Sequence, residues 1–133
     1  MQEIKNVTCF SFMDQERPVL GADMKGSSDC PDLKGRVYAY TLPDGIYVQV
    51  HLEGMHKSSA HTCCIYEGTS SEELGEKLLT LPDIMSCKDG NASAQMWLDG
   101  ADASQIAGRS LVLRLKQDGE EKQIACERLA RIL

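Results

Sequence analysis

Residues 106–115 read IAGRSLVLRL, and this stretch contains the strand pattern that decides the fold. Its three leucines occupy every second position, so they fall on one side of an extended backbone. Ser110, Val112 and Arg114 fall on the other side. This alternation is typical of a strand with one face on an apolar core and one face in solvent. A second extended stretch, Ile124-Ala125-Cys126, follows it and predicts a final strand.

Two earlier segments repeat this alternation. Residues 45–53 read GIYVQVHLE and residues 91–98 read NASAQMWL, each with apolar side chains at every second position. Glycines and prolines separate such segments at about eight to twelve residues, a spacing that favours an all-β sandwich or barrel. Pro43-Asp44-Gly45 predicts a tight hairpin turn. The predicted core includes Val37, Val48, Val50, Met96, Leu111 and Leu113.

Two segments depart from the strand pattern. Residues 70–79, SSEELGEKLL, begin with serine followed by paired glutamates, which predicts a capped helix of one or two turns. Residues 101–107 predict a second short helical turn, capped by Asp99 or Asp102. The first twelve residues have no clean period and could form an arm or a short helix, and residues 1–18 are interpreted as an N-terminal arm. Residues 19–133 are interpreted as a single β-sandwich domain, because 133 residues are too few for two.

Composition restricts the classes of partner and the compartment. The formal net charge is −6, with 42% hydrophobic and 26% charged residues and no block of lysine or arginine. Nucleic acid and an anionic membrane surface are therefore disfavoured as partners, because both require clustered cations. The first residues contain no apolar run of the length of a secretory signal, which favours a cytoplasmic location. The six cysteines contain no C-x-x-C pair and are expected to be mostly reduced.

The two closing stretches resemble the last strands of copper/zinc superoxide dismutases. In that family a hydrophobic-Gly-Arg/Lys-Ser/Thr strand ends in a copper-binding histidine, and an Ala-Cys-Gly strand follows. Here the first strand ends in Arg114, and Glu127 replaces the glycine. The resemblance covers roughly residues 17 to 129, and the segment ending in Glu16-Arg17-Pro18 is similar to the arm of some bacterial members. The chain is interpreted as a degenerate bacterial member.

This resemblance implies a Greek-key β-sandwich, or flattened barrel, of seven or eight antiparallel strands with one short helical insertion. It places Cys64, Tyr66 and Arg114 at the three copper-ligand positions, and it leaves the zinc loop between Gly68 and Asn91 without histidine. An arginine keeps its proton and cannot ligate a metal. The resemblance therefore predicts a protein without catalytic residues, without metal or other cofactor, and without dismutase activity, acting as a binding or interaction domain.

The resemblance also leads to expectations for Cys126 and for Arg114, which stands at a copper-ligand position. The cysteine that clamps the metal loop in relatives falls near Ser71, so Cys126 is expected to be unpaired, with no disulfide. It is expected to be a small core residue on the same face as Ile124. Arg114 is expected either to pair with Glu67 or Asp83 or to be exposed. The expected partner is an unidentified protein or a second copy, since many relatives form homodimers.

An alternative from another class is a small protein that binds zinc or cuprous copper through His61, Cys63 and Cys64. On a strand His61 and Cys63 share one face and Cys64 lies on the other, so only part of a site is available. Without metal, Cys64 is expected to be buried and His61 partly exposed. A weaker alternative is thiol redox chemistry at Cys63-Cys64, although no flanking base lowers a thiol pKa there.

Overall fold

The computed structural model describes residues 17–132, which form nine strands and one short helix. Because successive side chains of a strand point to opposite faces, a strand can turn one face to a core and the other to solvent. The strands are β1 (Leu20–Lys25), β2 (Lys34–Leu42), β3 (Gly45–Glu53), β4 (Ala60–Tyr66), β5 (Lys77–Met85), β6 (Ala92–Asp99), β7 (Ser110–Gln117), β8 (Glu120–Arg128) and β9 (Ala130–Arg131), with helix α1 (Ala103–Ile106) between β6 and β7.

The strands form two antiparallel sheets, with the orders β6-β3-β2-β1-β9 and β5-β4-β7-β8. Apolar side chains from both sheets form one buried cluster, as in a β-sandwich. All six core residues expected from the alternation belong to this cluster. The two-residue turn after Leu42, which pairs with Gly45, also confirms the predicted hairpin. The all-β, two-sheet interpretation is therefore confirmed.

The helix predicted at residues 70–79 is wrong, because β5 begins at Lys77 and pairs with β4. The backbone amides of Glu67 and Gly68 donate to the carbonyls of Glu76 and Leu74, at 2.8 and 2.6 Å. These bonds extend the β4–β5 hairpin through the loop, and pairing along the sheet outweighs the local capping signal. Residues 17–132 form nine strands, so the expectation of seven or eight is wrong. The additional strands are β5, where a helix was expected, and the two-residue β9.

The second predicted helical turn is confirmed as α1, and Asp102 is its N-cap. The Asp102 carboxylate accepts from the backbone amide of Ser104 at 3.1 Å, and the Gln105 side chain accepts from the amide of Asp102 at 3.0 Å. This reciprocal pair satisfies amides that the helix itself leaves free. Most of the predicted arm, residues 1–16, lies outside the described residues. Between residues 17 and 132, no helix is both long and apolar enough to cross a membrane.

Candidate functional site

The outer face of the four-stranded sheet carries a row of buried and half-buried side chains that do not belong to the core cluster. Cys64 lies opposite Val112, and Val112 lies opposite Cys126, so the three form a line across β4, β7 and β8. We call these three residues the thiol row. Val112 and Cys64 are only 1% and 5% exposed, although neither belongs to the core cluster. Something on the outer face must therefore cover them.

That cover is a bridge between Arg114 and Tyr66. Arg114 Nη1 donates to the Tyr66 hydroxyl at 2.7 Å, and the guanidinium carbon lies 5.1 Å from the centre of the ring. Arg114 lies two residues beyond Val112 on β7, and Tyr66 lies two residues beyond Cys64 on β4. Because the two strands are antiparallel, these positions are diagonal, and the bridge crosses the Cys64–Val112 pair.

Hydrogen bonds from the start of β7 hold the loop that follows β4. Buried Ser110 donates to the carbonyl oxygen of Gly68 at 2.8 Å, and Arg109 donates to that of Glu67 at 3.0 Å. A side chain at Gly68 would place its Cβ 1.7 Å from the carbonyl oxygen of Glu73. Glycine is required here because the backbones of the loop approach too closely for any side chain.

The electrostatics around Cys126 do not activate its thiol. Burial raises the pKa of Cys126, and the Ser110 hydrogen bond and the Arg114 charge only partly oppose it. On the other face of β4, burial raises the pKa of Cys63 to about 12. A raised thiol pKa disfavours the thiolate, which is the form that attacks disulfides and binds metals.

The prediction that Cys126 is a core residue is wrong. It is half-buried on the outer face, whereas Ile124 and Ala125 both belong to the core. The cause is a register shift, because Leu113 pairs with Ala125 but the next residue, Arg114, pairs with Gln123. This bulge inserts Ile124 and changes which residues face inward. Among residues 17–132 the free cysteines are Cys30, Cys63, Cys64, Cys87 and Cys126.

The structure does not bring His61, Cys63 and Cys64 to one point. Cys63 belongs to the core cluster, whereas Cys64 lies in the thiol row on the opposite face of β4. His61 is 0% exposed, so the expectation that it is partly exposed is wrong. Its Nδ1 lies 3.2 Å from the carbonyl oxygen of Ile84, and its Nε2 has no partner. Within residues 17–132, no three His, Cys, Asp or Glu side chains are grouped to hold a metal ion.

Arg114 does not pair with either carboxylate named as its partner. Asp83 is occupied by Lys116, whose Nζ lies 2.6 Å from it, and Glu67 offers its backbone carbonyl to Arg109. Arg114 instead uses the tyrosine on the neighbouring strand. The pairing follows from the β4–β7 register, which no local sequence pattern reveals.

One further pair could not be found from the sequence. Cys30, in the loop between β1 and β2, lies beside His56, in the loop between β3 and β4. The two residues are separated by 26 positions, and neither belongs to a motif. Comparison with protein-family models and with curated proteins gives no match for this chain.

Proposed function

We propose that this chain is a catalytically silent protein of the copper/zinc superoxide dismutase-like type, and that it acts as a binding or interaction domain. The observation that carries the proposal is the bridge from Arg114 to Tyr66 over Cys64. These are the three residues that the resemblance aligns with copper ligands. They lie on neighbouring strands of one face, as positions of a shared site would.

The strand order supports the Greek-key part of the proposal. β4 and β5 are paired within the four-stranded sheet. β5 is an edge strand of that sheet, and it contacts β6, an edge strand of the other sheet. β7 then returns to pair with β4. We propose on this basis that β4 to β7 form a Greek key across the two sheets, in which the fourth strand lies beside the first.

The residues at the three aligned positions do not fit copper. A guanidinium keeps its proton, so Arg114 supplies positive charge where a ligand must supply a lone pair. The Tyr66 hydroxyl already accepts a hydrogen bond from that guanidinium. Copper is held best by imidazole and soft sulfur ligands, and only Cys64 is of such a type. Arg114, Tyr66 and Cys64 together therefore lack the ligands that a copper site needs.

The experiment restores the ligands. Wild type supplied with copper and zinc is expected to show no superoxide dismutation above buffer. The triple variant Cys64→His/Tyr66→His/Arg114→His is expected to bind one cupric ion, seen by its visible absorption and by electron paramagnetic resonance. The reason is that the three positions share one face of two paired strands.

The single variant Arg114→His is the matched control, and it is expected to bind cupric ion far more weakly than the triple variant. Circular dichroism melts establish that each variant is folded. Rapid dismutation by wild type that a chelator abolishes would refute the silent role. A folded triple variant with no more copper than the control would refute the alignment of the three positions.

For the interaction role, we propose a second copy of the chain as the partner. Exposed large apolar side chains mark surfaces that can be covered by a partner. In the described residues they are Leu78, Met85, Trp97 and Ile132. Three of these four lie on β5 and β6, the edge strands that contact each other at one side of the sandwich.

Sedimentation velocity over a range of protein concentrations tests this proposal. Wild type is expected to shift from monomer towards dimer as its concentration rises, and Met85→Lys, at 61% exposure, is expected to weaken the shift. Ile132→Lys is the matched control. Ile132 is also an exposed apolar residue, but it follows β9, which is the edge of the five-stranded sheet opposite β6. A monomer at every concentration, or equal effects of the two variants, would exclude this interface.

A further inference from the structure

Two loops at one end of the sandwich hold Cys30 and His56 against each other. The first loop turns tightly, because the Cys30 amide donates to Ser27 and the Leu33 amide donates back to the Cys30 carbonyl, at 3.0 and 3.1 Å. The second loop begins at Gly54, where a Cβ would lie only 1.9 Å from the carbonyl oxygen of Asp32. The two loops are therefore in backbone contact, and their side chains have a fixed relation.

The distance between the two side chains suits an ion held between them. Cys30 Sγ lies 4.0 Å from His56 Nδ1. Bonds from zinc to sulfur and to imidazole nitrogen are about 2.3 and 2.0–2.1 Å, and two bonds of this order sum to about 4.3–4.4 Å. The observed distance is close to that sum, so a small movement of the side chains lets an ion lie between the two atoms in the near-linear arrangement that two-coordinate soft ions prefer. The thiol also lies 3.5 Å from the Gly54 carbonyl oxygen.

The surroundings favour a cation and give it a path from solvent. Burial and, after it, the charge of Asp32 raise the pKa of the Cys30 thiol, so a bound ion has to displace the thiol proton; the same negative charge of Asp32 attracts a cation. Asp29 is already paired with Lys122, so it contributes less charge. An open depression reaches the pair and is lined by Met55 and Lys57 among others.

We propose that Cys30 and His56 bind one soft monovalent cation, of the cuprous or silver type. Such ions accept two soft ligands, whereas a structural zinc site needs about four, and the part of the chain in the structure offers no group of three. On binding, the Cys30 S–H bond breaks and the S–metal bond forms, and the proton passes to solvent. No electron is transferred. The site involves none of the residues that carry the proposed function.

The test uses silver nitrate as a redox-inert probe, added stepwise to the reduced full-length protein. The first equivalent is expected to move the imidazole resonances of His56 in nuclear magnetic resonance spectra and to leave those of His51 and His61 in place. Cys30→Ser is expected to abolish the His56 shift. Cys87→Ser is the matched control, since Cys87 is an exposed thiol, and it is expected to retain the shift.

Cuprous ion, supplied anaerobically against a competing chelator, gives the second measurement. His56→Gln is expected to lower the affinity of the tightest site by at least about tenfold, and His51→Gln to leave it unchanged. A His56 shift that persists in Cys30→Ser, a first equivalent that leaves His56 unmoved, or equal affinities of the two histidine variants would overturn the proposal. Thermal melts of each variant confirm that the site, and not the fold, is lost.

Discussion

Replacing Gly54 with alanine is expected to destabilise the protein by about 2–5 kcal/mol, a large part of the roughly 5–15 kcal/mol that holds a typical domain together. Two effects add. Gly54 has a φ of +73°, which costs alanine about 1–2 kcal/mol. The new Cβ would also lie 1.9 Å from the carbonyl oxygen of Asp32, and relieving such an overlap by shifting backbone costs about 1–3 kcal/mol more.

Gly119→Ala is the matched control, because Gly119 has a similar φ of +80° but a Cβ added there would meet nothing within 4 Å beyond its chain neighbours. It is expected to cost only about 1–2 kcal/mol, the conformational part alone. Urea unfolding of both variants beside wild type measures the difference. Equal losses at the two positions would show that the loop carrying Cys30 and Asp32 does not pack against the loop that begins at Gly54 as closely as the structure has it.

Acid is expected to weaken the fold through His61. The side chain is fully buried with an unpartnered Nε2, and burial, helped by nearby His56, holds the pKa of His61 below its ordinary value. In the unfolded chain His61 therefore takes up a proton near pH 6.5, whereas in the folded protein it takes up this proton only at a lower pH. The stabilisation is complete above about pH 6.5 and is lost as the pH falls through the lower folded-state pKa, at up to about 1.4 kcal/mol per pH unit.

The variant His61→Met isolates this contribution. It removes the titrating group at similar volume, so its stability at neutral pH should lie within about 1 kcal/mol of wild type. Its free energy of unfolding should decline less than that of wild type between about pH 7 and pH 5. His51→Met, at an exposed histidine, should keep the wild-type pH dependence. Parallel declines for wild type and His61→Met would show that His61 does not control the acid response.

The helix expected at residues 70–79 shows where local reasoning stops. Serine and the two glutamates that follow it satisfy the rules for a helix start, but those rules weigh less than a full strand partner. Leu79 pairs with Ile65 and packs against the core, and Leu81 is buried in it. A helix over residues 70–79 would have taken Leu79 out of its pairing with Ile65, next to the buried Leu81.

The sequence by itself determined which side of β3, β6 and β7 is apolar, and hence that the chain forms an all-β fold around one core. Alternation is a local property with a period of two, so Val48, Val50 and Leu113 could be placed inside without knowledge of any partner strand. The capping of α1 by Asp102 is local in the same way.

Only the tertiary structure decided which side chains lie on the outer face of the four-stranded sheet and which loops meet. A single bulge opposite Arg114 moved Cys126 out of the core, since an inserted residue reverses the faces that follow it. The contacts of Arg114 with Tyr66 and of Cys30 with His56 join positions 48 and 26 residues apart. Such contacts depend on strand register and loop packing, which are set by the whole fold and leave no periodic trace in the chain.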